Sequence, residues 1–481
     1  MSGQELGVTV SKDEDMAEWY TQVVQKADMA DYAPVAGCMI IEPWGMAIWE
    51  RIKETFDNKI KEDGVESVYF PLFIPEKYLE KERELLEGFL PEMAWIEDTG
   101  EEQVKDKIAV RPTSESVIAP YMSDNIQSYR DLPFRINQWA NVVRWEVSDT
   151  RPFLRTREFL WQEGHTSEKD SEEAMEETLR RLEQYREVLE DLMAISVIKG
   201  RKPEHDKFPG AKITTTVESL MPDRKSLQSA TSHHLGTNFS EAYDITYSDE
   251  NGEERLAHTT SWGLSTRVIG GLIMAHGDDQ GLVLPPEIAP KQVVIVPIWQ
   301  EENEEEVRGY AESVQEELEG EGFRVELDDR EHRSPGYKFN EWELKGVPLR
   351  IEIGPDEAGS GELTGVHRDT GEQERFDRNE VVHHVEEDLD EMQDRLLEEQ
   401  QEFQEDNVRE AGSEGEIIDT IREEGGYVKA NWCGQEECEE PVKDEVHAEI
   451  VMVPLEEEDI DGACAVCGEE AEEVAYFSKN Y

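Results

Sequence analysis

The alternation Phe159, Trp161, Glu163, His165 constrains this chain more than any other stretch. A strict period of two puts all four side chains on one face of a strand. Trp139 to Val143 form an apolar approach, and Arg144 and Glu146 follow two apart, on one face if the strand continues through them. Between these segments lie the turn formers Ser148, Asp149, Thr150 and Pro152, together with Arg151, Arg155 and Arg157. The pattern predicts a hairpin with guanidinium groups at its root and loop, and an aromatic and polar stripe on its return strand. Such a surface suits a planar base, a run of phosphates and a small polar ligand together. An ordinary hairpin with surface arginines is the plainer alternative. Four arginines within fourteen positions are hard to read that way in a chain with 113 acidic and 48 basic residues. Arginine's planar fork is the usual choice for anions.

At 481 residues the chain exceeds what one core organises, and about three domains are expected. The formal charge of −65 fits disorder, an acidic interaction tail, or adaptation to concentrated salt. Eleven Trp, fourteen Tyr and regular apolar periodicity exclude disorder. The acid is spread along the whole chain, so a salt-adapted surface is the reading that holds. This charge does not exclude a nucleic-acid partner, because molar salt screens repulsion within about 3 Å. No apolar run reaches the ~20 residues of a membrane span. The N-terminus lacks the basic and apolar regions of a signal peptide. A soluble, cytoplasmic protein is expected.

In chain order, residues 12–30 read as a helix capped by Ser11, with Glu14 three positions later. Met39–Ile41 and Ala47–Ile60 read as a strand and a long helix, and Val65–Ile74 as a β-type run closed by Pro75. Lys107–Val110 leads into Arg111-Pro112-Thr113-Ser114-Glu115, where Thr113 or Ser114 are candidate caps of the next helix. A charged helix over 167–195 carries the stripe Met175, Leu179, Leu182, Tyr185, Leu189, Leu192. Gln228, Ser229, Thr231, Ser232, His233 and His234 form a hydroxyl-rich turn, a better site than a lone histidine but without a third ligand for a metal. Trp262 to Arg267 begin a helix that is apolar all round and therefore buried. Arg267 in its first turn opposes the helix dipole and needs an anion or a partner. From 290 onward strands alternate with helices, which predicts an α/β fold with a largely parallel sheet. Cys433-x4-Cys438 and Cys464-x2-Cys467, with 25 residues between the pairs, predict a tetrahedral zinc site, and Cys38 stands apart as a small apolar residue.

Taken together, these motifs resemble a class II aminoacyl-tRNA synthetase, and within that class the prolyl-tRNA synthetases of archaeal and eukaryotic type, from a halophilic archaeon-like source. The resemblance covers essentially the whole chain. Residues 43–75 look like motif 1, Arg144-Trp145-Glu146 with Arg155 and Phe159 like motif 2, and Gly263 to Arg267 like motif 3. Three stretches point to proline: 111–115, the 159–165 stripe, and Gln228 to Gly236. The four-cysteine segment and the final Tyr481 also resemble the archaeal-type pattern.

The resemblance implies an α/β and α+β multidomain fold. It comprises a catalytic domain on a six-stranded antiparallel sheet at 1–287, an α/β anticodon-binding domain at 288–395, and a small zinc-bearing domain at 396–481. It implies a homodimer, the partners L-proline, ATP and tRNA(Pro), and no membrane or DNA partner. The implied chemistry is ATP-dependent attachment of proline to tRNA(Pro) through prolyl-adenylate. By motif, Arg144 bridges the amino-acid carboxylate and the α-phosphate, Glu146 holds the adenosine side, and Arg155 takes the γ-phosphate. Phe159 and Arg267 sandwich the adenine, Gln228, Thr231 and Ser265 touch ATP, and Arg144, Glu146 and Arg267 are the catalytic set. Thr113, Glu115, Arg144, Trp161, Glu163, His165 and His233 form the proline site. Mg2+ arrives with ATP, and structural Zn2+ sits on Cys433, Cys438, Cys464 and Cys467. The interval 166–262 is too short for the large editing insertion of bacterial relatives. Threonine or serine specificity, and a non-enzymatic tRNA-binding paralogue, are the rival expectations.

Overall fold

The computed structural model describes residues 7–85, 92–98, 100, 103–456, 458–460 and 462–481, and the side chains of 81–85 and 103 are outside the description. The N-terminal expectation therefore falls partly on undescribed residues. Among those described, no helix is long and apolar enough to cross a membrane.

Helix α1 spans Met16–Lys26, and its cap is Asp15, whose carboxylate accepts from the Ala17 and Glu18 amides at 3.1 Å. Ser11, the expected cap, instead closes the preceding turn by accepting from the Glu14 amide. Helix α2, Pro43–Glu62, starts with proline in its first turn, where the missing donor costs nothing. The expected run from Val65 to Ile74 is broken. It supplies a two-residue strand β1, Glu66–Ser67, and then, past an irregular stretch, a separate strand Phe73–Pro75 in a small three-stranded sheet. Helix α3 spans Glu115–Asn125.

The central sheet continues with β2 (Phe134–Val143), β3 (Glu158–Glu168), β4 (Ile198–Arg201), β5 (Ile213–Leu220), β6 (Ser226–Gly236) and β7 (His258–Ser265). The predicted hairpin is β2–β3, antiparallel from Phe134 opposite Ser167 to Val143 opposite Glu158. The order β4-β5-β6-β7-β3-β2 is antiparallel throughout, as the resemblance implied, and β1 adds to β2 in parallel.

One face of this sheet is covered by α1, α2, helix α4 (Ser171–Glu187) and helix α5 (Arg267–His276), around Trp19, Phe56, Tyr185, Trp262 and Leu272. Helix α5 is buried from Val268 through His276, and each large apolar side chain there contributes about 1.5–3 kcal/mol. Its fully apolar character was the correct signal. The stripe expected on α4 holds only in its second half. Met175 is half-buried and Leu179 is exposed, while Ala174, Glu177, Thr178 and Arg181 face inward. Arg181 Nε donates to Glu177 Oε1 at 2.7 Å, Nη1 donates to Asp63 Oδ2 at 2.8 Å, and the guanidinium lies over the Trp262 ring. Such a mutually satisfied pair is invisible to apolar periodicity.

Gly164 makes room for the Trp262 ring of the neighbouring strand β7 on the helix-covered face. A Cβ added there would lie 2.1 Å from the Trp262 ring, so the residues between the stripe positions face the helices. Tyr185 donates to Gln162 Oε1 at 2.7 Å on that same face.

His276 closes α5 with Nε2 2.9 Å from the Met193 carbonyl, and burial lowers its pKa from 6.5 to about 4. The folded value lies below the unfolded one. The neutral ring's contribution is therefore complete above pH 6.5 and is lost as pH falls through 6.5 toward 4. Relative to His276→Gln, the native protein should lose up to roughly 3 kcal/mol between pH 7 and about pH 4.5. Denaturant midpoints of the two proteins in molar KCl measure this difference, and a pH-independent gap would contradict it.

The second domain holds β8 (Val293–Pro297), helix α6 (Glu304–Gly320), β9 (Val325–Leu327), helix α7 (Pro335–Leu344), β10 (Leu349–Ile353), β11 (Glu362–His367), β12 (Gln373–Asp377) and helix α8 (Val381–Asp406). Its sheet order is β9-β8-β10-β11-β12. The expected largely parallel sheet is corrected: β9-β8-β10 are parallel, whereas β11 and β12 form an antiparallel hairpin on the edge. The hairpin connection Arg368–Glu372 was too short to register as a turn between two strands. The expected boundary at 395/396 falls inside α8.

The C-terminal segment adds β13 (Val408–Glu410), β14 (Tyr427–Trp432), β15 (Glu449–Pro454) and β16 (Glu473–Ser478). These join the central sheet through β15 on β4, where Val453 is opposite Arg201. The result is a single eleven-stranded sheet, β13-β14-β16-β15-β4-β5-β6-β7-β3-β2-β1.

Candidate active site

The uncovered face of β3, β5, β6 and β7 forms a cavity of about 280 Å³. Seven residues expected around an amino acid line it: Thr113, Glu115, Arg144, Trp161, Glu163, His165 and His233. Gln228 and Thr231 line it too. Strand β3 brings Trp161, Glu163 and His165 by alternation, and the start of α3 brings Thr113 and Glu115.

The predicted turn at 228–234 is instead the interior of β6. Most of its polar groups find partners on the neighbouring strands and on α4, although Ser232 Oγ is buried without one among the described residues, and the hydroxyl-rich segment runs there as a buried strand. Thr215 donates to the Ser232 carbonyl at 2.7 Å, and His234 Nε2 lies 3.0 Å from Ser171 Oγ. His233 Nδ1 is 3.0 Å from Thr214 Oγ1 and its Nε2 is 3.0 Å from Thr231 Oγ1. Burial, with His165 nearby, pulls the His233 pKa down to about 3, so the ring is neutral at working pH. It serves as a fixed polar edge.

Ser114 is no cap. It donates to Glu163 Oε1 at 2.5 Å, and Gln138 Nε2 donates to the same oxygen at 2.6 Å. Glu163 Oε2 faces His165 Nε2 at 3.4 Å. With both oxygens engaged, Glu163 fixes its neighbours' orientation. Thr113 donates to Glu115 Oε2. The Trp161 indole N–H is buried without a partner among the described residues, a donor open to a ligand.

The Arg144 and Glu146 pair is not on a strand, which corrects the same-face expectation. β2 ends at Val143, where the Arg144 amide bonds the Arg157 carbonyl at 2.7 Å, and Glu146 lies exposed in the turn beyond. The Arg144 guanidinium has no hydrogen-bond partner among the described residues. It lies over Phe159 and Trp161, at 5.4 and 5.9 Å from their ring centres. Burial lowers its pKa, against the opposing pull of Glu146, Glu115 and Glu163. Arg267 Nε donates to the Leu154 carbonyl at 3.2 Å, and the Arg267 amide donates to Ser265 Oγ at 3.3 Å. Its pKa is lowered by burial first and then by the positive charges of Arg144 and Arg155. Three guanidinium groups thus crowd beside the cavity, an arrangement that an anion stabilises. Arg157 differs from them. It donates to the Val147 and Ala36 carbonyls and stacks on Trp145, so it holds the loop. Phe159, Arg155, Ser265 and Arg267 lie outside the lining of the cavity, Phe159 meeting Trp161 edge-on at 6.0 Å between ring centres.

Sequence reasoning missed Lys202, Asp206, Phe208 and Ser261, which also line the cavity. Burial alone would lower the Lys202 pKa, but Glu218 at 3.4 Å and Asp206 at 3.5 Å raise it. Phe208 packs 4.8 Å from the His233 ring. The run Arg201 to Gly210 is bounded by Pro and Gly and reads like any polar loop, so no local signal singled these residues out.

In the C-terminal segment, Cys433, Cys438, Cys464 and Cys467 have sulfurs within 4.8 Å of one another, with Cys433 3.5 Å from Cys438 and 3.6 Å from Cys467. A tetrahedron with 2.3 Å Zn–S bonds has edges of about 3.8 Å, so these four thiols fit a zinc ion. Gly434 and Gly468 follow Cys433 and Cys467 with φ of 79° and 76°, letting each chain turn sharply behind its thiol.

Comparison with known proteins agrees with this geometry. Residues 95–276 match the family model of the tRNA synthetase class II core domain (G, H, P, S and T), 292–388 an anticodon binding domain, and 415–481 the C-terminal domain of prolyl-tRNA synthetase. The chain is 58% identical over its full length to the full length of the proline--tRNA ligase of Haloarcula marismortui. It is 56% identical to that of Halorubrum lacusprofundi, with 99% of each chain covered. A crystal structure of prolyl-tRNA synthetase from Cryptosporidium parvum, complexed with halofuginone and AMPPNP, superposes with a TM-score of 0.94 at 40% identity, covering 99% of this chain and 100% of that one. With its class II core, its antiparallel sheet and its full-length likeness to these ligases, the chain belongs to the prolyl-tRNA synthetases.

Proposed function

We propose that this protein joins L-proline to tRNA(Pro) in two steps, with ATP and Mg2+ as co-substrates. The proline carboxylate oxygen attacks the α-phosphorus of ATP and pyrophosphate leaves. A hydroxyl of the tRNA 3′ end then attacks the prolyl-adenylate carbonyl and AMP leaves. The observation that carries this reading is the position of Arg144. It lines the amino-acid cavity and also lies in Coulomb range of Arg267, which in turn feels Arg155.

Two anions must meet for the first step, so positioned cations do more than an acid or base. Arg144 spans the carboxylate and the α-phosphate, Arg155 takes the γ-phosphate, and Phe159 with Arg267 sandwiches the adenine. Glu146, Gln228, Thr231 and Ser265 complete the nucleotide side. Around the amino acid, Glu115 faces the secondary ammonium and Thr113 orients it. Trp161 walls the ring, His233 supplies a neutral edge, and Glu163 with His165 fixes the floor. The four cysteines hold a structural zinc that supports the C-terminal fold. The division into 1–287, 288–395 and 396–481 assigns activation to the first unit and anticodon reading to the second. A homodimer fits the exposed Tyr32, Val35 and Ile40 before α2 and Tyr69 and Phe73 after it. The cytoplasm, where tRNA and ATP are at hand, is the compartment of this chemistry.

Glu115→Gln tests the ammonium contact. The variant should raise the KM for proline by roughly 10–100-fold, the loss of one charge-assisted bond of about 1.5–3 kcal/mol, with the KM for ATP unchanged. Equal effects on both substrates in pyrophosphate exchange would contradict the assignment.

A further inference from the structure

Far from the active-site cavity, the outer hairpin of the second domain meets the first turns of α8 through four ionisable groups. His367 ends β11, Glu374 lies on β12, and His384 and Asp388 stand one turn apart on α8. His367 Nε2 is 2.7 Å from Glu374 Oε1 and 3.8 Å from Asp388 Oδ2. His384 Nε2 is 3.0 Å from Glu374 Oε1 and 3.6 Å from Asp388 Oδ2. The ligand atoms of His367, Glu374 and Asp388 all lie within 4.8 Å of one another.

The two His367 separations, 2.7 and 3.8 Å, bracket the ~3.4 Å edge of a tetrahedron with 2.0–2.1 Å bonds to nitrogen and oxygen. His367 Nε2 and Glu374 Oε1 are hydrogen-bonded at 2.7 Å, but that bond leaves other polar atoms of the cluster unpaired. His384 Nε2 and Asp388 Oδ2 are both shut off from solvent with no aligned hydrogen bond. Two carboxylates held this close disfavour joint ionisation, and a cation or a proton between them relieves the repulsion. Phe376 stacks on His384 at 4.1 Å and holds that ring beside the two carboxylates.

We propose that His367, Glu374 and Asp388 form a divalent-metal site for a zinc-class ion, with solvent completing the coordination. One imidazole and two carboxylates carry a charge of −2, which such an ion balances, and mixed nitrogen and oxygen donors suit Zn2+ or Co2+ better than Mg2+ or Ca2+. The ion would staple the β11–β12 hairpin to α8, the helix that runs from this domain toward the C-terminal segment.

The test is metal content of the full-length protein, loaded with Zn2+ in molar KCl and dialysed free of excess. The four-cysteine cluster and this site together predict two ions per chain. His367→Ala and Asp388→Asn should each leave one, and Glu387→Gln, a neighbour on the exposed side of α8, should leave two. Loading with Co2+ separates the sites without any substitution. The native protein should show thiolate charge-transfer bands together with the weaker bands of a nitrogen- and oxygen-bound ion. Asp388→Asn should lose only the latter. One ion per chain in the native protein, bound solely through thiolates, would overturn the proposal. So would a second ion that persists in both His367→Ala and Asp388→Asn.

Discussion

Arg144→Ala should lower proline-dependent ATP–pyrophosphate exchange by about 10³-fold, the scale of losing one preorganised charge at a reacting centre. The effect is large because Arg144 lines the amino-acid cavity and its charge also acts on Arg267 on the nucleotide side. Its guanidinium lies over Phe159 and Trp161, within the fields of Glu115 and Glu163 on one side and Arg267 on the other. Arg144→Lys should recover only part of the rate, since an ammonium keeps the charge but not the fork that contacts a carboxylate and a phosphate together. The side chain has no hydrogen-bond partner among the described residues, so its removal should leave the fold intact. Circular dichroism and the denaturant midpoint check that point, and an unaltered exchange rate would remove Arg144 from the centre of the chemistry.

The salt dependence of activity should run opposite to that of most tRNA-binding enzymes. With a formal charge of −65, the folded chain repels itself at low ionic strength. The screening length falls from about 10 Å at ~0.1 M salt to about 3 Å at ~1 M. Charging should therefore persist in molar KCl and be lost in dilute buffer. Phosphate contacts weaken steeply with salt, so tRNA affinity here should rest on stacking and hydrogen bonds to exposed anticodon bases. Aminoacylation rates across a KCl series measure this directly. A maximum near ~0.1 M would mean that the acidic surface is not a salt adaptation.

The cavity lining was largely legible because it is written with local period. Trp161, Glu163 and His165 alternate on one strand, and that strand faces the cavity on one side and helices on the other. The reading failed where polar residues are satisfied at long range. Segment 228–234 looked like a turn because nothing local shows that Thr214, Thr215 and Ser171 receive its polar groups. The Glu177–Arg181 pair on α4 hid the inward face of that helix for another reason, since a local pair of buried charges carries no apolar period. The junction of β4 with β15 pairs Arg201 with Val453, and no periodicity reports a contact across that separation. Resemblance supplied the six antiparallel strands but not their continuation into the C-terminal segment.

The most direct test of the central claim is amino-acid-dependent ATP–pyrophosphate exchange in molar KCl, with proline, alanine, threonine and serine in parallel. Proline should dominate, with alanine weaker by about 10–200-fold per missing methylene, because an apolar ring pocket discriminates only modestly by size. Dominance of threonine or serine would contradict the cavity assignment, and folded protein that exchanges with none of the four would contradict the enzyme itself.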